Sequence, residues 1–161
     1  MILVKPLENI SKYLYSPLVG PIIFLSGSIE MGKAIDWQKQ VSDSLKDEKC
    51  VILNPRRDDW DSSWKQNLDC KEFVEQVNWE LNGLEKADII VVHLEPNTTS
   101  PITLLEIGLY AQYDRRKLII HCPEGYFRKG NIDVLCQRYE IQQADTLEEL
   151  IEVIKYKVQQ Y

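Results

Sequence analysis

From Pro21 onward the apolar residues come alternately as short unbroken runs and as stripes spaced by three and four. The runs Ile22–Leu25, Cys50–Leu53, Ile89–Leu94 and Lys117–Cys122, with a shorter one near Tyr139–Gln142, read as strands covered on both faces. The stripes between them read as helices. Ala34, Trp37, Gln38, Val41 and Leu45 mark the first, and Phe73, Val77, Leu81 and Leu84 mark a long second one. Ile102, Leu105, Glu106, Leu109 and Tyr113 mark a third. A short helix around Asn131–Gln137 follows, and Leu147, Leu150, Ile151, Ile154 and Val158 form the last.

Strands alternating with helices require a parallel sheet with helices on both faces, and right-handed crossovers leave few ways to order it. The most economical is a flavodoxin-like three-layer α/β sandwich with a five-stranded, mainly parallel sheet over residues 21–161. Residues 1–20 stand apart as an N-terminal extension. Met1–Leu7 and Tyr13–Val19 have some strand character with turn residues between them, which suggests an edge hairpin.

The central run leads through Glu95–Ser100 into the third helix. Pro101 suits a first helical position, and Ser100 or Thr99 can cap the amides ahead of it. Glu106 then points toward the strand ends, where open sheets of this class bind ligands, unless it is one more solvated helix glutamate. Its place near the amino end of the helix predicts that the helix dipole keeps it ionised.

With 161 residues, 44% hydrophobic and 27% charged, the chain has the composition of one ordinary folded domain. A net charge of −6 argues against a nucleic-acid polymer as partner. The four cysteines are far apart and form no Cys-x-x-Cys pair, which fits reduced thiols and neither a disulfide framework nor a metal site. No run has the length of a membrane span, and a cytoplasmic location is expected. Neither a metal nor another cofactor is called for.

Three further features lie after predicted strands. Ser26-Gly27-Ser28 offers hydroxyls, amides and a close backbone approach, or is an ordinary turn. The loop Asn54–Trp64 carries Arg56, Asp58, Asp59, Trp60 and Trp64, a set able to stack a flat ring and bond its edge or a sugar hydroxyl. Glu80 runs along the stripe of the second helix, so it either borders a pocket with a raised pKa or merely flanks the core. His93 and His121 lie inside strands and read as core residues, which leaves the chemistry to carboxylates. A carboxylate nucleophile beside a second carboxylic acid suits displacement at an anomeric carbon.

Taken in order, Ser26-Gly27-Ser28-Ile29, Asn54–Asp61, Glu80–Asp88, Ser100–Gly108 and Cys122–Asn131 resemble the nucleoside 2-deoxyribosyltransferase family. They also resemble its relative, the 2′-deoxynucleoside 5′-monophosphate N-glycosidase. The resemblance covers roughly residues 21 to 142. It implies a double displacement at a small-molecule deoxynucleoside or deoxynucleotide, with Glu106 as nucleophile. Glu80 stands about where the family has a proton-handling aspartate. The family's first-loop tyrosine falls on Phe24, so that hydroxyl is lost. Ser100 matches a serine that contacts 5′-phosphate in the monophosphate glycosidases. The resemblance also implies a homodimer or higher homo-oligomer, with Arg128 and Lys129 of a neighbour's Pro123–Asn131 loop closing each site. Two other classes fit the same residues: a nicotinamide-dinucleotide hydrolase using a helix glutamate, and a non-catalytic nucleotide-binding module.

Overall fold

The computed structural model describes residues 1–161 except 15–18, 31–33, 58 and 62. Six strands form one sheet: β1 Ile2–Val4, β2 Ile22–Gly27, β3 Val51–Leu53, β4 Ile89–His93, β5 Leu118–His121 and β6 Gln142–Ala144. Among the described residues five α-helices accompany them: α1 Trp37–Ser44, α2 Lys71–Lys86, α3 Pro101–Tyr113, α4 Lys129–Tyr139 and α5 Leu147–Val158. All pairings are parallel, in the order β1-β3-β2-β4-β5-β6. The last five of these strands have the flavodoxin-like order, and β1 adds a sixth at the edge.

That sixth strand departs from the hairpin expected of residues 1–20. Ile2–Val4 pairs with β3 instead of folding back on its own chain. Ile10–Tyr13 is a 3-10 turn capped by Asn9, and most of the expected second strand, residues 15–18, lies outside the described residues. Ile10 is buried in the core, and Trp79 Nε1 on α2 donates to the carbonyl of Glu8 at 3.0 Å, so this segment packs on the body of the fold.

Successive side chains of a strand face opposite ways, and the core is divided accordingly. Ile23, Leu25, Ile52, Val91 and Ile119 pack with α1 and α5 on one face. Phe24, Leu53, Ile90, Val92 and Ile120 pack with α2, α3 and α4 on the other. β4 is buried along its whole length, as a central parallel strand must be.

Helices α2 and α3 are rotated from the expected orientation. α2 buries Gln76, Trp79, Gly83 and Leu84, while Leu81 of the expected stripe is exposed. α3 buries Thr103, Glu106, Ile107, Tyr110 and Ala111 and leaves Ile102, Leu105, Leu109 and Tyr113 in the open. Gly83 permits the close approach of α2, since a Cβ there would sit 2.9 Å from the Phe24 ring.

Candidate active site

The chain crosses from β3 on one side of β2 to β4 on the other. The crevice at the carboxyl ends of β2 and β4 is therefore the topological switch point. Ser26, near the end of β2, donates its hydroxyl to Glu106 Oε2 at 2.5 Å. Glu106 is 8% exposed. Burial pushes its carboxyl up to about 7, with Glu80 adding to the rise and the Ser26 bond opposing it. This differs from the ionised state expected of a carboxylate near a helix start. Glu106 lies in the second turn of α3, beyond the free amides, where the dipole has little reach.

Glu80 enters from α2. Burial raises its pKa too, while Gln76 Nε2, donating to Glu80 Oε1 at 2.8 Å, works the other way. The same amide nitrogen donates to the carbonyl of Pro55 at 3.2 Å and so ties the start of the Asn54–Trp64 loop to α2. Both glutamates open onto one pocket of about 540 Å³, a size suited to a small organic ligand. Its apolar wall comes from Phe73, Val77 and Leu81 of α2 and Ile102 and Leu105 of α3. Phe24 lies on its β2 side.

Of the other residues singled out by sequence, Ser26, Gly27, Trp60 and Ser100 line this pocket. Gly27 is held there by strand packing, with φ +153° and His93 O only 2.2 Å from where a Cβ would stand. Ser28 is fully buried outside the lining. Its hydroxyl bonds those of Ser100 (2.7 Å) and Thr98 (2.8 Å) and accepts from the Glu95 amide (2.9 Å). Asn54 and Arg56 also lie off the pocket. Asn54 Oδ1 accepts the Arg56 amide, and the guanidinium donates to the carbonyls of Ala34 and Ile35 and to Gln38 Oε1. Asp59 points to solvent and pairs with Arg57. Trp64 braces the loop: its ring meets Trp60 edge-on at 5.2 Å and carries the Arg57 guanidinium on its face. Asp58 lies outside the described residues.

Residues 20–126 match the family described as nucleoside 2-deoxyribosyltransferase like. The chain belongs to that family. Among solved structures, a conserved protein from Enterococcus faecalis V583 is similar at a TM-score of 0.60 and 12% identity. The similarity covers 86% of this chain and 99% of that one, and it speaks to the fold. No curated protein matches the chain significantly.

In this member of the nucleoside 2-deoxyribosyltransferase-like family, the pocket is also lined by residues that periodicity did not single out. Arg57 lines the pocket, although in sequence nothing separates it from Arg56. Glu30 lines it too, with Oε1 accepting the amides of Thr99 and Ser100 at 3.0 Å each. Those two amides lie just before the helix, and no side chain among the described residues makes the cap expected of Ser100. Ser100 occupies the N-cap in a left-handed conformation with its hydroxyl turned to Ser28. A glutamate bonding a loop some 70 residues further on leaves no local sequence signal. No helix among the described residues is long and apolar enough to cross a membrane.

Proposed function

We propose that this protein cleaves or transfers the N-glycosidic bond of 2′-deoxynucleosides or their 5′-monophosphates. The observation that carries the reading is the buried Glu106, held by Ser26 at the switch point with Glu80 in the same pocket. Membership of the nucleoside 2-deoxyribosyltransferase-like family supports the substrate class.

In this reading one Glu106 carboxylate oxygen attacks the anomeric carbon. The carbon–nitrogen bond breaks, and its electron pair leaves with the base, which takes a proton from Glu80 or already carries one on its ring. The resulting ester is resolved by a second base in transfer or by water in hydrolysis, releasing the Glu106 carboxylate. Ser26 fixes the carboxylate and favours its charged form. Phe24 supplies shape but no proton. Trp60, braced by Trp64, stacks on the base. Such a site calls for no metal or organic cofactor.

The deciding experiment incubates the protein with deoxynucleosides and their monophosphates, with and without an acceptor base, and separates the products. Base release in the wild type, its loss in Glu106→Gln, and a mass gain of one deoxyribosyl unit on the Glu106 peptide are expected. Base release from NAD alone would assign the pocket to dinucleotide hydrolysis. Ligand-induced stabilisation without product, alike in wild type and Glu106→Gln, would make it a binding module.

A further inference from the structure

Gln76 is an amide on the buried side of α2, where Trp79, Gly83 and Leu84 are its companions, and it is 2% exposed. Burying an amide costs stability unless its hydrogen bonds are met. Here Nε2 donates to Glu80 Oε1 at 2.8 Å and to the carbonyl of Pro55 at 3.2 Å. Oε1 faces Arg57 Nη1 at 3.5 Å. Both N–H bonds are thus used, and turning the amide over would set its oxygen against the same two acceptors, so its orientation is fixed. Gln76 borders the pocket but has no N–H left for a ligand. What it can act on is Glu80, one turn further along the same helix.

The bond is made to one oxygen of Glu80. Oε2 has no hydrogen-bond partner among the described residues, and the side chain lines the pocket together with Glu106. A carboxyl with one oxygen held by a donor carries its proton on the other. The proton of Glu80 is therefore kept on Oε2. When it passes to a ring nitrogen of the leaving base, the electron pair of the carbon–nitrogen bond goes with the base and Glu80 becomes a carboxylate. The bond from Gln76 then runs to a charged acceptor and strengthens. An interaction that grows as the proton leaves lowers the barrier without tightening substrate binding. The second N–H, anchored on Pro55, holds the amide in place whether or not Glu80 is charged.

We propose that Gln76 is a positioning residue, whose amide fixes the Glu80 carboxyl so that Oε2 delivers the proton to the leaving base. The proposal rests on the glycosidic reading above and adds the group that aims its acid.

Titration and turnover test it separately. Gln76→Met keeps the length of the side chain and removes both donors. Gln76→Leu serves as a second variant, with thermal unfolding to show that each is folded. Glu80 is titrated by NMR of isotope-labelled glutamate side chains in Glu106→Gln protein, so that the neighbouring carboxyl does not titrate with it. Its signal is the one missing from Glu80→Gln. Loss of a bond that favours the charged form should move the Glu80 titration to higher pH in Gln76→Met. Turnover is compared for a purine deoxynucleoside and its form methylated on the imidazole nitrogen, whose cationic base leaves without taking a proton. Gln76→Met should lower kcat for the first about tenfold or more with KM little changed, and leave kcat for the second nearly unaltered. A Glu80 titration unmoved in the folded variants would overturn the proposal. Equal losses on both compounds would overturn it too, since a displaced Pro55 loop harms both alike. A titration moved to higher pH, with no base released from any substrate by the wild type, would uphold the hold on Glu80 and defeat the glycosidic reading.

Discussion

Glu106 is the residue at which burial and function oppose each other. A nucleophile must be ionised, yet one hydroxyl from Ser26 does not offset the loss of water, and the carboxyl rises from an ordinary 4.5 to about 7. The sign for stability follows from linkage. The native state holds this proton more tightly than the unfolded chain, so the penalty is absent below about pH 4.5, grows between 4.5 and 7 and is full above 7. Glu106→Gln should therefore raise the unfolding free energy at pH 8, by an amount on the order of 3 kcal/mol at most, and change it little at pH 4.5. Denaturant melts at the two pH values check this; equal effects at both would mean that the carboxyl is not strained by burial. The same proton shapes catalysis. kcat/KM should climb through about pH 7 as Glu106 ionises. Ser26→Ala, by removing the bond that favours the charge, should move that limb to higher pH. A drop in rate with an unmoved pH profile would show that Ser26 serves only packing.

At the scale of elements, the strands were legible because parallel strands buried on both faces leave unbroken apolar runs. β4 and β5 fall within the runs read from the sequence, and β6 lies a few residues beyond its expected place. The helix faces of α2 and α3 were not legible, for a physical reason. Phe73, Val77 and Leu81 look like a core stripe in sequence but form a pocket wall, and a pocket wall is as apolar as a core. α3 is apolar nearly all round, so its periodicity could not say which side faces the sheet. Glu80 and Glu106 were legible as carboxylates on such helices. Glu30 was not, because its partners are distant in sequence. In sequence the Ser26–Ser28 turn fits either a close ligand approach or an ordinary turn; in the fold Gly27 answers first to the strand beside it. Gly27→Ala would press a Cβ against the carbonyl of His93 and should cost about 1–3 kcal/mol or more, seen as a lower midpoint in thermal or denaturant unfolding. In the loop after β3, Trp60 touches the pocket while Trp64 stands behind it. Trp60→Ala should weaken nucleoside binding by about 1 kcal/mol, and Trp64→Ala by less. Equal binding by wild type and Trp60→Ala would remove the stacking role.

On the scale of the whole molecule, the outer face of α3 has a consequence for assembly. Ile102, Leu105, Leu109 and Tyr113 are 52–77% exposed and run along one side of the helix. Leu81 of α2, 41% exposed, stands on the same pocket that Ile102 and Leu105 line. Scattered exposed leucines are normal on protein surfaces, but a continuous row ending at a pocket mouth is the kind of patch that partners cover. A homo-oligomer in which a second copy packs on this row would shield it and narrow the pocket opening together, which a separate lid would otherwise have to do. The Pro123–Asn131 loop carries part of its own bonding within the chain, with Tyr126 Oη donating to the Thr99 carbonyl at 2.9 Å and Lys129 paired with Asp133 at 2.9 Å. The cation it has left to offer a neighbour is Arg128, which lies over the Phe127 ring. A charge placed at the centre of the row should break the assembly without touching the buried side of α3. Leu109→Glu is the cleaner choice, because Leu109 does not line the pocket whereas Leu105 does. Light scattering should report a dimer or larger for the wild type and a monomer for Leu109→Glu, with an unchanged circular dichroism spectrum and a higher KM as the pocket mouth loses its cover. A wild type that runs as a monomer at the concentrations used for turnover would assign the row to substrate entry and leave the site to a single chain.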